Sequence, residues 1–426
     1  MINISRFSIS PAFKTFAFRL LRSATAEGFT QTGPILLAPS ASPEEFLSIP
    51  MADNSFEDDD RHDAQQYGQF LARQDRWEDL AQAIQGADEA RETTRGGMPI
   101  ADLLTYGARA DVVRAAEHAL MEGKSAKNRA LLEGINGLED IRREHPGVAG
   151  IALVLALAHV DIGWAWRGRG SNSTVSRQNR EKFAAHFDRA EKILSPYRGA
   201  VSNSPVLAAA QCALLAGRSD PQTHTADSYE NLIDLHPQNY RHMRAMGHHL
   251  LPRWFGSYDQ LELEARRTAA RTQKIWGNGA YTWVYFDAIS LDDQACAQVD
   301  VEFFIDGLRD IVAARPDQEV INLLAAFCSV ALHQRLGAND LADLARTQIS
   351  DCAKWLIRDH LTEVHPLIWA HAAEGFDNNA RITSVSRFAA RGRADALQAI
   401  ADQFRDEIHR GLRVTFTPDG PQLHPV

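Results

Sequence analysis

The stretch Leu235-His236-Pro237-Gln238-Asn239 stops one run of helical periodicity and clears the way for the next. Proline lacks the backbone donor that a helix interior needs and its ring clashes with the preceding turn, so it marks a boundary. The same punctuation recurs at Arg143-Glu144-His145-Pro146-Gly147, at Leu194-Ser195-Pro196 and at Ala314-Arg315-Pro316-Asp317-Gln318. Between the breaks, apolar residues keep helical spacing. Phe183, Phe187, Ala190 and Leu194 form one stripe, and Phe304, Leu308 and Ile311 another. The breaks at 146, 196, 237 and 316 lie about 40 residues apart or about twice that, the length scale of helical repeats. The pattern predicts an all-α chain, a superhelical stack of antiparallel helix pairs. Each pair shields one apolar flank only when a neighbour is laid against it.

Caps sharpen individual helices. Ser257, with Gln260 three residues on, opens a helix whose face carries Leu261, Ala265, Ala269 and Thr272; Gly277 closes it after Trp276. Strand-like alternation is confined to Val414-Thr415-Phe416. The domain reading is a leader over 1–63, a helical-repeat domain over 64–410 with a seam near 86–110, and a flexible tail over 411–426. The tail carries Pro418, Gly420, Pro421 and Pro425. The leader is either disordered or lies upstream of the true start, because Met51-Ala52-Asp53-Asn54 makes a plausible beginning. Arg6, Lys14, Arg19 and Arg22 give residues 1–26 a basic, acid-free character like that of a transit peptide. A compact apolar core with a cleavage site is not evident there.

Composition narrows the classes. The 426 residues are 45% hydrophobic and 23% charged, with a formal net charge of −10. That is a globular composition, and its acidity disfavours nucleic acid, whose phosphates demand a basic surface. Cys212, Cys296, Cys328 and Cys352 form no C-x-x-C pair and read as small buried hydrophobes in a reducing cytoplasm. The longest apolar run, Ile151 to Val160, falls short of the roughly 20 residues a membrane span needs and reads as a core helix.

Two resemblances follow from these residues. Tyr67 to Ala81 is similar to a tetratricopeptide hairpin, with small and apolar residues in its first helix and Trp77 opening the second. The helix pairs over 65–405 resemble tetratricopeptide-like repeats in degenerate form. Met246 to Tyr258 resembles a block of bacterial helical-repeat proteins of unknown function, which carry an arginine, tryptophan, glycine, glycine, serine run; here Phe255 replaces the first glycine. The resemblance implies a helical fold and a bacterial source and brings no activity with it.

Candidate binding residues sit where Arg and aromatics meet at helix junctions. Arg253, Trp254 and Tyr258 offer an aromatic and guanidinium platform. They serve equally as a connector, with Gly256 turning the chain, Ser257 capping and Trp254 plugging the core. Trp164, Trp166, Arg167 and Arg169 end the apolar helix. They either meet an anion or complement the negative end of the helix dipole. In the cluster Tyr281, Trp283, Tyr285 and Phe286, spacing puts Trp283 and Phe286 in the core and Tyr281 and Tyr285 on a face toward a groove. His242 and His249 lie seven apart, too far along a helix to share a metal, and His360, His365 and His371 are no better placed. No residue pattern specifies a reaction, a cofactor or a metal. The expected role is an interaction scaffold holding a protein or peptide in a groove, with homo-oligomerisation through terminal helices open. The alternative is an enzyme with an inter-helix pocket around His248, His249 and Arg253. A closed pocket joining histidine, acid and arginine separates it from the scaffold.

Overall fold

A computed structural model describes residues 43–52, 55–124, 128–168, 174–201, 203–375 and 384–425. The chain is predominantly helical, as its periodicity predicts. Helix starts are set by the expected chemistry. Asn239 caps Tyr240–His249, accepting from the Arg241 amide. Ser257 accepts from the Gln260 amide at the start of Tyr258–Trp276, and Gly277, at φ 54°, closes that helix on Gln273. Asp317, one residue beyond a break, caps Gln318–Ala326.

Successive helices stack in order. Ile100–Met121 lies on Phe56–Arg73, Ala149–Arg167 lies on Ile100–Met121, and Arg177–Leu194 lies on Ala149–Arg167. Further along, Gly279–Leu291 packs on Tyr240–His249 and Tyr258–Trp276, then Val301–Ala314 on Gly279–Leu291. Glycines mark the tightest crossings. A Cβ on Gly107 would lie 1.9 Å from the Gln65 carbonyl oxygen, and one on Gly247 would lie 1.7 Å from that of Val284. Two apolar clusters result. One runs from Leu71 to Leu214, and the other gathers Leu47 with residues from Ala208 to Phe416. Among the described residues, Ala149–Arg167 is the helix long and apolar enough to cross a membrane, and 78% of its apolar window is buried inside the fold. Its apolarity serves the core, as an all-round apolar helix in a folded chain should.

The ends differ from expectation. Residues 43–52 are built into the structure, and helix Phe56–Arg73 starts inside the expected leader, where Ser55 and Asp58 cap each other. The expected flexible tail is a hairpin. A three-stranded sheet orders β1 (Leu47–Ser48), β2 (Leu412–Thr417) and β3 (Gly420–Pro425) as β1-β2-β3, parallel and then antiparallel. Burial explains both departures, since Leu47, Val414 and Phe416 are 5%, 0% and 4% exposed. Met51 bridges to Val364, whose backbone bonds Ala52 and Pro50. The first described segment thus lies on the last. The expected seam at 86–110 also knits distant parts together. Arg91 donates to the carbonyls of Leu235 and Asn203, Arg315 donates to that of Arg95, and the Gly96 amide donates to Glu57.

Candidate functional site

The helix Tyr240–His249 places two buried histidines, His242 and His248, in the interior. His242, Ala245 and His249, at i, i+3 and i+7, share one face. That face lines a cavity of about 90 Å³. The opposite walls are Met98, Pro99 and Asp102 from the start of Ile100–Met121, then Ala209, Cys212 and Ala213 of Pro205–Leu214. Tyr229 and Leu232 of Thr225–Leu235 add a third side, and Asn239 and Arg241 complete it. The cavity lies where the two apolar clusters meet, with Cys212 and Tyr229 in one and Ala213 in the other.

Its polar groups are held by specific partners. The Asn239 side-chain amide lies 2.9 Å from His242 Nε2, and the Tyr229 hydroxyl lies 2.9 Å from His249 Nδ1. Arg241 approaches Glu57 Oε1 at 3.9 Å, and its guanidinium lies over the Tyr240 ring. Burial governs the titration here. It lowers His242 to about 3 and His249 to about 4, and drives His248 well below its ordinary value with help from the charges of His249 and Arg253. It raises the Asp102 and Glu57 carboxyls and the Cys212 thiol. At neutral pH the three imidazoles carry no charge. A base with a pKa of 3 to 4 is poorly matched to proton abstraction at pH 7. The arrangement is suited to holding a small polar group.

The residues singled out from sequence are not gathered at this cavity. Arg253 is exposed on the turn after the histidines. Trp254 is half-buried against His248, His249 and Phe255. The block 250–257 forms the connector: a Cβ on Gly256 would lie 2.4 Å from the Leu250 carbonyl oxygen, and the Phe255 amide bonds the His249 carbonyl. Tyr258 donates to Asp292. Trp164 packs edge-on against Phe183 and Phe187 with Arg167 over its ring, and Trp166 is buried. These lie with the first apolar cluster, whereas Trp254 lies with the second. Arg169 falls outside the described residues.

Tyr281 and Tyr285 do not face a groove. Both are fully buried, and both hydroxyls donate to Glu262 Oε2, at 2.9 and 2.8 Å. Helix Gly279–Leu291 is enclosed all round, so its tyrosines need an internal acceptor. Trp283 and Phe286 are buried as spacing predicts.

Sequence reasoning missed Asp102, Cys212, Tyr229 and Arg241, which come from four separate helices. The available signal was the His242-Ala245-His249 face, set aside because its spacing fails for a metal. Among the described residues no three His, Cys, Asp or Glu side chains gather in a metal-binding group. The enzyme alternative needed a closed pocket joining histidine, acid and arginine. The cavity joins His249 and Asp102 with Arg241 in place of Arg253. No family model, curated protein or solved structure matches the chain.

Proposed function

We propose that the chain is an interaction protein, a tetratricopeptide-like stack of helix pairs that holds a segment of a protein partner on its outer face. The stack reading is supported by the way each long helix packs on its predecessor or on the helix two before it. A reducing, cytoplasmic setting is supported by four buried cysteines in the free thiol form.

The observation that carries the reading is a leucine ridge. On helix Asp340–Ser350, Leu341 and Leu344 are 66% and 57% exposed one turn apart, and Leu336, in the preceding loop, is 47% exposed. The same helix turns Thr347 and Ser350 into an open cleft of about 700 Å³. Its other walls bring Ser329, His333, Lys354, Asp402 and Arg405. Apolar anchors beside a polar, open trough are what a bound segment needs: the leucines supply affinity and the trough supplies register. Covering each leucine is worth about 1–2 kcal/mol. The fitting partner is a segment with two apolar side chains one helical turn apart and polar groups for the trough.

The test is a double variant, Leu341→Asp with Leu344→Asp, compared with the wild-type chain. Partners captured by the wild type are purified, and their affinity for both proteins is measured by calorimetry. A loss of tenfold or more at unchanged thermal stability is expected. Equal affinity for the two proteins would overturn the reading. A concentration-dependent dimer that the double variant abolishes would replace the partner with a second copy of this chain.

A further inference from the structure

We propose that the junction cavity between helices Ile100–Met121, Pro205–Leu214, Thr225–Leu235 and Tyr240–His249 binds a small planar carboxylate, of the size of formate or acetate. This goes beyond the interaction role and does not depend on it.

Size comes first. A space of about 90 Å³ lies well below the several hundred Å³ that drug-sized ligands fill. It suits a ligand of three or four heavy atoms.

The chemistry of the wall selects the class. Arg241 has unspent donors: its Nε is shielded from solvent and has no hydrogen-bond partner. Its contact with Glu57, at 3.9 Å, is too long for a hydrogen bond, and the facing Glu57 Oε1 also has no hydrogen-bond partner although Glu57 is 3% exposed. A guanidinium with a free edge is a planar fork matched to a carboxylate. The two imidazoles add uncharged polar groups. With the Asn239 amide donating to His242 Nε2, an uncharged His242 carries its proton on Nδ1. The Tyr229 hydroxyl lies 2.9 Å from His249 Nδ1 and can donate to it or accept from it. The burial that keeps both rings uncharged also holds the Asp102 carboxyl toward its protonated form. That lessens the repulsion that an ionised acid would exert on an anion. Met98, Pro99, Ala209, Ala213, Leu232 and Ala245 make the rest of the wall apolar, fit for a hydrogen or a methyl on the carboxylate carbon.

The Arg241 side chain is 28% exposed while His242 is 8% exposed, so Arg241 stands at the solvent edge of the wall.

The experiment uses the full chain at pH 7 and constant ionic strength. Sodium acetate and sodium formate are titrated against sodium chloride, with thermal unfolding and carbon-13 acetate line broadening as readouts. Saturable stabilisation by acetate and formate, absent with chloride, is expected with a dissociation constant in the millimolar range, because so few atoms make the contact. Arg241→Gln should weaken acetate binding at least tenfold. Ala245→Leu, which fills the apolar wall and leaves every donor in place, should abolish it. If Arg241→Gln fails to fold, Ala245→Leu carries the same test. If both fail, competition between formate and labelled acetate on the wild-type chain decides it. Equal effects of chloride and acetate on the wild type would overturn the proposal. So would undiminished acetate binding in Ala245→Leu, or an absence of competition.

Discussion

Gly247→Ala asks whether the crossing of Tyr240–His249 over Gly279–Leu291 is as close as it looks. The added Cβ would lie 1.7 Å from the Val284 carbonyl oxygen and 2.7 Å from its carbon. Ordinary contact begins at 3.4 Å, so the helices must part by well over an ångström. The obstacle is backbone in mid-helix, which cannot rotate aside as a side-chain tip can. Around the crossing Met243, Met246, Val284 and Trp283 are all fully buried. A gap of even 1 Å forfeits a quarter to a half of each dispersion contact. Overpacking costs about 1–3 kcal/mol where neighbours can relax; with a rigid neighbour and lost packing we expect about 3–5 kcal/mol. Gly86→Ala is the control. Gly86 lies in helix Trp77–Glu89, is exposed and has open space where its Cβ would stand. There alanine should stabilise by about 0.5–1 kcal/mol through helix propensity. Urea unfolding followed by helical circular dichroism, with the slope checked for constancy, measures both. A Gly247→Ala protein within about 0.5 kcal/mol of wild type would mean that the two helices do not cross at these residues.

Arg109 and Asp161 form a buried pair at 2.7 Å, with side chains 1% and 8% exposed. Asp161→Ala strands the guanidinium and should cost about 3–5 kcal/mol in the same urea assay; a cost under about 1 kcal/mol would show that water reaches it. Leu47→Ala removes a core contact supplied by the segment ahead of Met51 and should cost about 2–3 kcal/mol, whereas an unchanged midpoint would detach β1 from the fold. Acid should unfold the protein early. His242, His248 and His249 are lowered in the folded state, so the unfolded chain binds more protons and stability falls as pH drops below about 6.5. Each ring contributes about 1.4 kcal/mol per pH unit until its own folded pKa is reached, for His242 about 3. His365 opposes the trend: burial disfavours its charge, but hydrogen bonds to Glu319 and Glu363 raise it overall. His159, His186, His236 and His371 are lowered by burial as well, so seven rings outweigh one, and unfolding free energies that stay level from pH 7 to pH 5 would contradict the burial of these histidines.

Local chemistry was legible, and long-range chemistry was not. Ser257 and Gly277 cap as their types demand, and Phe187, Ala190 and Leu194 bury the stripe that their spacing draws. The tyrosines were misread because spacing gives a face but not what covers it. Glu262, which takes both hydroxyls, stands on a different helix. The hairpin was half visible. Val414-Thr415-Phe416 alternates as a strand, but Pro421 and Pro425 argued for a loose tail. Those prolines lie in β3, which ends the strand order, opposite Phe416 and Leu412. An edge strand tolerates the missing donor. The cavity was hidden because its walls come from four helices, each with an ordinary reason for its own residues.

The first described segment bears on how the helices hold together. In an open solenoid each repeat touches only its neighbours, so stability accumulates locally and ends can fray. Here Leu47 joins the second apolar cluster, β1 pairs with β2, Glu44 meets Arg393, and Glu57 and Arg241 face each other. Each contact spans most of the chain or joins its two apolar clusters. The early and late helices therefore cannot separate without exposing Leu47, and the cavity cannot open without parting Glu57 from Arg241. Cooperative unfolding follows. The same closure leaves the ridge of Leu336, Leu341 and Leu344 exposed to solvent. A fold closed by its first described segment that still leaves three leucines in water fits the proposed division between a surface for stability and a surface for contact.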